Sequence, residues 1–300
     1  MIKTKAFCFG SLNIDYVYEV EHIVSPGETL DTRRPKTYAG GKGTNQSVAL
    51  ARAGVPTIHA GKIGPDGVFL RNLLADEGVD VSHIVLDERS ATGHALIQVE
   101  PSGQNAILLF GGANREITDA EIKKALDTCA SGDILLLQNE LNATETLIRE
   151  GHRRGMFVAL NCAPFSEEAK AYPYELVDCL FVNETEGAGL SGKTEAREIL
   201  DALARLCPGI VVLTLGMRGA MAKARGIVYE EGIIPVRAVD TTGAGDTYTG
   251  YFLAEYAVSG DLARAMKLAA AASALEVTRP GAANSIPARA EVEAFMRSKP

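Results

Sequence analysis

The seven residues Asp240-Thr241-Thr242-Gly243-Ala244-Gly245-Asp246 set a glycine-rich turn directly before a carboxylate. Glycine lets successive backbone N–H groups face one side, and a helix starting there adds its positive end, so Gly243, Ala244 and Gly245 could cradle an anion. Asp246 would stand at the head of a helix over 247–259, placed to accept a proton from an attacking alcohol while the amides hold phosphoryl oxygens. That is phosphoryl transfer to a hydroxyl in outline. A helix cap in a glycine-rich turn would use the aspartate in the same way, and the block alone leaves both readings open.

Two further clusters carry polar groups suited to a small polyol. Gly40-Gly41-Lys42-Gly43-Thr44-Asn45 combines glycines that admit a ligand to the backbone with a mobile charge at Lys42 and an amide at Asn45 that both donates and accepts. Gly10-Ser11-Leu12-Asn13-Ile14-Asp15 follows a strand-like run, at the carboxyl end where open α/β sheets bind ligands. On extended backbone Asn13 and Asp15 point the same way, and an amide beside a carboxylate matches vicinal hydroxyls. Ordinary turns also use Asn and Asp. A competing phosphate motif is spelled by Gly187-Ala188-Gly189-Leu190-Ser191-Gly192-Lys193-Thr194, which fits the P-loop pattern. Glu184 and Glu186 stand directly before it and would repel a triphosphate, and the stretch also reads as a short helix ending near Gly192. It is therefore expected not to bind phosphate, with Lys193 solvated.

Positioning these clusters requires a regular scaffold. Apolar runs at 6–9, 57–60, 134–137, 157–160, 179–182 and 210–215 alternate with helices expected over 44–53, 67–77, 119–129, 143–154 and 194–206. Two more helices follow, over 261–277 and 288–297. The alternation predicts an α/β fold with a doubly wound, mostly parallel sheet flanked by helices. Segments 15–31 and 85–110 break it, reading as strands without crossover helices. They predict a small antiparallel β flap, a lid of about 15–38 and 85–110 within a single domain of 1–300, able to exclude water that would compete for a phosphoryl group.

Composition narrows the class. The 300 residues are 46% hydrophobic and 23% charged, a balance suited to a sizeable globular core. The net charge of −8 and the lack of a basic cluster argue against a nucleic-acid partner. No apolar run is long enough to span a bilayer, and residues 1–5 lead into a strand too short for a signal sequence, so no membrane role and a cytoplasmic location are expected. Five scattered cysteines without metal-ligand spacing read as reduced and mostly buried, and the five histidines as structural or surface groups.

Taken in order, G-S-L-N-I-D, G-G-K-G-T-N-Q, Asn183-Glu184-Thr185-Glu186, Thr214-Leu215-Gly216-Met217-Arg218-Gly219 and D-T-T-G-A-G-D resemble the motifs of sugar kinases of the ribokinase (PfkB) family across nearly the whole chain. Leu137-Gln138-Asn139-Glu140 and Val277-Thr278-Arg279-Pro280-Gly281-Ala282 strengthen the resemblance. It implies an ATP-dependent kinase acting on a primary hydroxyl of a small sugar, ribose before fructose, a deoxy-ketoacid sugar or a nucleoside. A sugar-binding regulator that has lost catalysis is the reading from another class, and an intact Asp246 with its glycine cradle argues against it.

Residue by residue, the resemblance implies Asp246 as catalytic base and Gly243, Ala244 and Gly245 as the anion hole. Ser11, Asn13, Asp15, Gly40, Gly41, Lys42, Asn45 and Glu140 would bind the sugar. Asn183, Thr214, Gly216, Gly219 and Gly245 would bind ATP, and Glu186 would serve Mg2+. A monovalent cation, K+, would sit by Asp240, Thr242, Glu276, Arg279, Gly281 and Ser285, several of them acting through backbone carbonyls. The chain departs from some relatives in carrying Ala270 where they place a histidine near the adenine. A homodimer through the flap is the assembly implied.

Overall fold

The computed structural model describes residues 4–32 and 35–298. Residues 1–3, Arg33 and Arg34 of the expected lid, and residues 299–300 lie outside the described part. The chain begins β1 (Ala6–Phe9), β2 (Asn13–Glu19), β3 (Lys36–Gly40), α1 (Lys42–Arg52), β4 (Thr57–Ile63), α2 (Val68–Asp76) and β5 (Asp80–Leu86). It continues β6 (Gly93–Val99), β7 (Asn105–Phe110), α3 (Asp119–Leu126), β8 (Ile134–Gln138), α4 (Thr144–Arg153), β9 (Phe157–Asn161) and β10 (Cys179–Asn183). It ends α5 (Glu184–Ser191), α6 (Ala196–Leu206), β11 (Ile210–Thr214), β12 (Ala220–Ala224), β13 (Ile227–Glu231), α7 (Ala244–Ser259), α8 (Leu262–Glu276) and α9 (Arg289–Ser298).

Nine strands form the main sheet in the order β13-β12-β11-β10-β9-β8-β1-β4-β5. It is parallel from β5 to β11, and β12 and β13 add an antiparallel edge. Strand alternation divides the core in two. On β1, Ala6 and Cys8 face a layer that includes residues of α1, α2, α7, α8 and α9, while Phe7 and Phe9 face one built with α3, α4 and α6. All four β1 side chains are buried, as a strand covered on both faces requires.

The flap is a separate four-stranded sheet in the order β3-β2-β6-β7. Its outer pairs, β2 with β3 and β6 with β7, are antiparallel as expected, and the central pair β2 with β6 is parallel because the two hairpins enter side by side. Three boundaries change. The 15–31 strand stops at Glu19 and resumes only at Lys36. The second lid segment starts at Gly93 rather than near 85, because 80–86 pairs with β4 as the edge of the main sheet. The β12–β13 hairpin has no counterpart among the expected elements: its alanine-rich β12 gives a weak polarity alternation, and it turns through Arg225 and Gly226, both at positive φ, rather than through Asn-Gly.

The P-loop spelling is likewise resolved. Glu184–Ser191 is helix α5 and Gly192 is its left-handed C-cap at φ 67°, so the pattern is wound into a helix and offers no loop for phosphate.

Helix α7 crosses α1 at very short range. A Cβ at Gly250 would meet Ala49 Cβ at 2.4 Å and the Leu50 amide nitrogen at 3.0 Å. Gly250→Ala should gain up to about 1 kcal/mol of helix propensity but lose about 1–3 kcal/mol to overpacking against backbone that cannot yield. The clash is expected to win, so the variant should unfold at lower urea concentration than the parent. An equal or higher midpoint would show that α1 and α7 can part.

Candidate active site

Strands leave β1 on both sides, toward β4 and toward β8, so a crevice opens beyond their carboxyl ends, where doubly wound sheets take ligands. Ser11, just past β1, is fully buried; its hydroxyl donates to Glu140 and accepts from the Gly43 amide at 3.2 Å. The Lys42 amide donates to the same Glu140 oxygen at 3.1 Å. These bonds tie the exit of β1, the start of α1 and the exit of β8 into one unit.

Asn13 and Asp15 follow on β2 and share one face of it. The Asn13 Oδ1 accepts from Asn114 Nδ2 at 2.8 Å, and Asn114 also donates to the Leu12 carbonyl and accepts from the Leu12 amide. Gly40 closes β3 beside the Asp15 carboxylate, which a Cβ there would meet at 2.2 Å, and Gly41 is the N-cap of α1. Asn13, Asn114, Arg115 and Glu140 line a cavity of about 210 Å³ with Gly111 and Leu109. Leu109 belongs to β7, so the flap supplies one wall.

The cradle lies opposite. Gly243 holds φ 89° as the N-cap of α7, a left-handed conformation that favours glycine, and no side chain caps this helix end. First-turn N–H groups have no carbonyl a turn earlier, and the space where a Gly245 Cβ would project is open. The Ala244 amide in the first turn donates to the Thr241 carbonyl at 3.3 Å, and the positive end of the helix lies at this glycine turn.

Asp246, in the first turn of α7, is nearly fully buried. Its Oδ2 accepts from Asn45 Nδ2 at 2.9 Å and its Oδ1 from Gln46 Nε2 at 2.8 Å. The buried Asn45 Oδ1 has no hydrogen-bond partner among the described residues. Burial, with Glu140 and Asp246 nearby, pushes the Asp15 carboxyl up to about 7. Burial also raises Glu140 against the pull of Lys42 and its bond from Ser11. Burial alone would lower the Lys42 ammonium, but Asp246, Glu140 and Glu186 together hold it above its ordinary value.

The outlying candidates fall into two groups. Asn183 and Glu186 form a reciprocal capping box: Glu186 N donates to Asn183 Oδ1 at 2.9 Å, and Asn183 N donates to Glu186 Oε2 at 2.8 Å. Burial raises Glu186 despite those bonds and Lys42. Among the described residues no three Asp, Glu, His or Cys side chains converge to hold a metal, so a magnesium ion would depend on phosphate and water oxygens for most of its ligands. Thr214 pairs in register with Asn183, and Gly216 and Gly219 bracket the tight turn beyond it at φ 54° and 88°.

The other group surrounds Glu276. Asp240 accepts from the Thr242 and Gly281 amides at 2.9 and 3.0 Å, which outweigh its burial and hold its carboxyl below the ordinary value. Ser285 Oγ lies 2.9 Å from Glu276 Oε1 and 2.6 Å from the Gly281 carbonyl. Glu276 is fully buried, its Oε2 is unpartnered, and burial with Asp240 and Asp246 pushes it up to about 8. An orphaned buried carboxylate oxygen beside backbone carbonyls fits a bound cation. The Arg279 guanidinium turns away to Glu291 at 2.6 Å, so only its backbone could join them.

Sequence reasoning passed over Gln46, Gln138, Asn114 and Arg115. Gln46 had a usable signal: Lys42, Asn45 and Gln46 recur at i, i+3 and i+4 and so share one face of α1. Asn114 had none, since only the folded chain brings it to Leu12.

These parts define a phosphotransferase that uses an alcohol as acceptor. The comparisons are more specific: the family described as pfkB family carbohydrate kinase matches residues 3–289, and the chain belongs to it. A ribokinase of Haemophilus influenzae is 36% identical over 299 residues, covering 96% of each chain. A deoxyribokinase of Salmonella typhimurium is 31% identical, covering 93% of this chain and 94% of its own. The structure of Arabidopsis thaliana ribokinase complexed with ribose and ATP superposes with a TM-score of 0.86 at 31% identity, covering 98% of this chain and 99% of that one.

Asp15 gives the site a pH signature. A carboxyl raised in the folded state stabilises the protein fully below the ordinary range near 4, and the contribution is lost as pH rises through about 7. Without ligand, the melting temperature should therefore fall between about pH 4 and pH 7, and Asp15→Asn should flatten that fall. An unchanged slope in the variant would show that Asp15 ionises as freely folded as unfolded.

Proposed function

We propose that the chain transfers the γ-phosphoryl group of ATP to the primary hydroxyl of a small sugar, with ribose converted to ribose 5-phosphate as the first choice. The observation that carries this reading is the position of Asp246, buried in the first turn of a helix with an uncapped glycine start and hydrogen-bonded to Asn45 and Gln46. Asn13, Asp15, Lys42, Asn45 and Glu140, with Ser11, Gly40 and Gly41 behind them, hold the sugar. Asp246 accepts the proton of the attacking hydroxyl, and the amides of Gly243, Ala244 and Gly245 hold the phosphoryl oxygens as charge develops. Asn183, Thr214, Gly216 and Gly219 carry the rest of the nucleotide. Leu109 and the flap close over the pocket and keep water from taking the phosphoryl group.

Magnesium, when bound with ATP, offsets phosphate charge, and Glu186 is the carboxylate assigned to it. Potassium is assigned to Asp240, Thr242, Glu276, Gly281 and Ser285, with Arg279 contributing its backbone alone. The relative named deoxyribokinase supports 2-deoxyribose as a second acceptor. The exposed flap residues Leu96, Leu108 and Phe110, on one face of the sheet, support a homodimer through that face, which sedimentation velocity would detect. The five unpaired thiols support a reducing, cytoplasmic setting, which cell fractionation would check.

An ADP-release assay across a sugar panel tests the whole reading. Ribose should give the highest kcat/KM, and turnover should be faster in potassium than in tetramethylammonium. Asp246→Asn should keep sugar binding and lose about 10²–10⁴-fold in kcat, the usual effect of a missing general base. Parent-like turnover in that variant would overturn the assignment of the base, and no sugar-dependent ADP release with the parent would overturn the kinase reading.

A further inference from the structure

Both oxygens of Asp246 are occupied, and their partners differ in kind. Asn45 donates to Oδ2 and carries a buried acceptor, Oδ1, with no hydrogen-bond partner among the described residues. Gln46 is fully buried, and its Oε1 accepts from Gln138 Nε2 at 2.7 Å. That bond fixes which end of the Gln46 amide faces Asp246, because the oxygen is engaged by Gln138 and the NH2 group alone is left to donate. Gln138 is also fully buried, at the carboxyl end of β8, and lies 3.6 Å from Cys8 Sγ on β1. Its own Oε1 rests over Gly10, where a Cβ would stand 2.3 Å away. A chain of two amides therefore runs from the main sheet through α1 to the carboxylate on α7, with no exposed member.

We propose that Gln46, backed by Gln138, is a positioning residue that reserves Oδ1 of Asp246 and leaves Oδ2 as the atom that accepts the substrate proton. The inference rests on the reading of Asp246 as general base. As the sugar hydroxyl enters it takes over Oδ2, and Asn45 turns its hydrogen bonds to the sugar. The hydroxyl proton passes to Oδ2 as the new O–P bond forms, and the electron pair of the broken P–O bond leaves with ADP. Throughout, the Gln46 donor stays on Oδ1 and holds the carboxyl plane.

The test compares Gln46→Met, which keeps the length of the side chain and removes its hydrogen bonds, with the parent and with Asp246→Asn. Gln46→Met is expected to lower kcat by about 10–100-fold, as for loss of a hydrogen bond to a charged group, while changing sugar KM by less than about threefold. Because a donor to a carboxylate favours its ionised form, loss of the amide should move the acid limb of kcat/KM to higher pH. Cys8, Asp15, Lys42, Glu140, Glu186 and Glu276 also face Asp246 electrostatically and are unchanged in the variant, so the movement reports the lost amide. In an Asp246→Asn background Gln46→Met should cost nothing more, since residues acting as a unit are not additive.

An unmoved acid limb, or a full additional loss in that background, would overturn the proposal and leave Gln46 as packing. If Gln46→Met does not fold, Gln138→Met takes its place, with a smaller shift of the limb in the same direction expected and no shift contradicting it. Failure of the base reading is distinguishable, because it appears as retained turnover in Asp246→Asn alone.

Discussion

A buried carboxylate is costly unless its oxygens are hydrogen-bonded, and Asp246 meets that condition only because α7 lies directly on α1. Gly250 makes the approach possible, and Asn45 and Gln46 use it to reach across from one helix to the other. The same contact sets the glycine turn at the head of α7 beside the pocket that begins at Ser11 and Asn13. Strand order, helix crossing and the glycines of both clusters serve this one placement.

The electrostatics depend on the same placement. Asp15, Glu140, Glu186 and Asp246 lie close enough to disturb one another or Lys42, and Lys42 is the cation set among them. A neutral polyol suits such a pocket, since each hydroxyl can donate to a carboxylate or to Asn45 Oδ1. Phosphate does not suit it; the uncapped start of α7 is the wall with the charge an anion requires. The Glu276 carboxylate, with Oε1 toward Gly243 and Oε2 left without a partner among the described residues, is where added positive charge would steady that wall.

What could be read from the sequence was whatever carries its meaning locally. The glycine turn before Asp246, the Asn13 and Asp15 pair and the apolar strand runs each depend on neighbours within a few residues, and the parallel core came from their alternation. Gln46 and Gln138 were visible as letters within motifs, but their role exists only where α1, β8 and α7 meet. Asn114 lies about a hundred residues from its partner Leu12. The parallel join at the centre of the flap was equally hidden, because pairing direction between distant hairpins leaves no local trace, and β12 and β13 lacked both a strong alternation and a recognised turn. The G-x-x-x-x-G-K-T spelling fails for the complementary reason: a pattern matches while the helix it is wound into removes its chemistry.

The central claim is that Asp246 stands between a sugar hydroxyl and a phosphate held by the head of α7. A crystal structure with ribose and a non-hydrolysable ATP analogue tests it most directly. The primary hydroxyl is predicted within about 3 Å of Asp246 Oδ2, with Gln46 still on Oδ1 and the terminal phosphate on the amides of Gly243 to Gly245. A sugar bound with that hydroxyl on Asp15 or Glu140, or a terminal phosphate away from the glycine turn, would contradict the account.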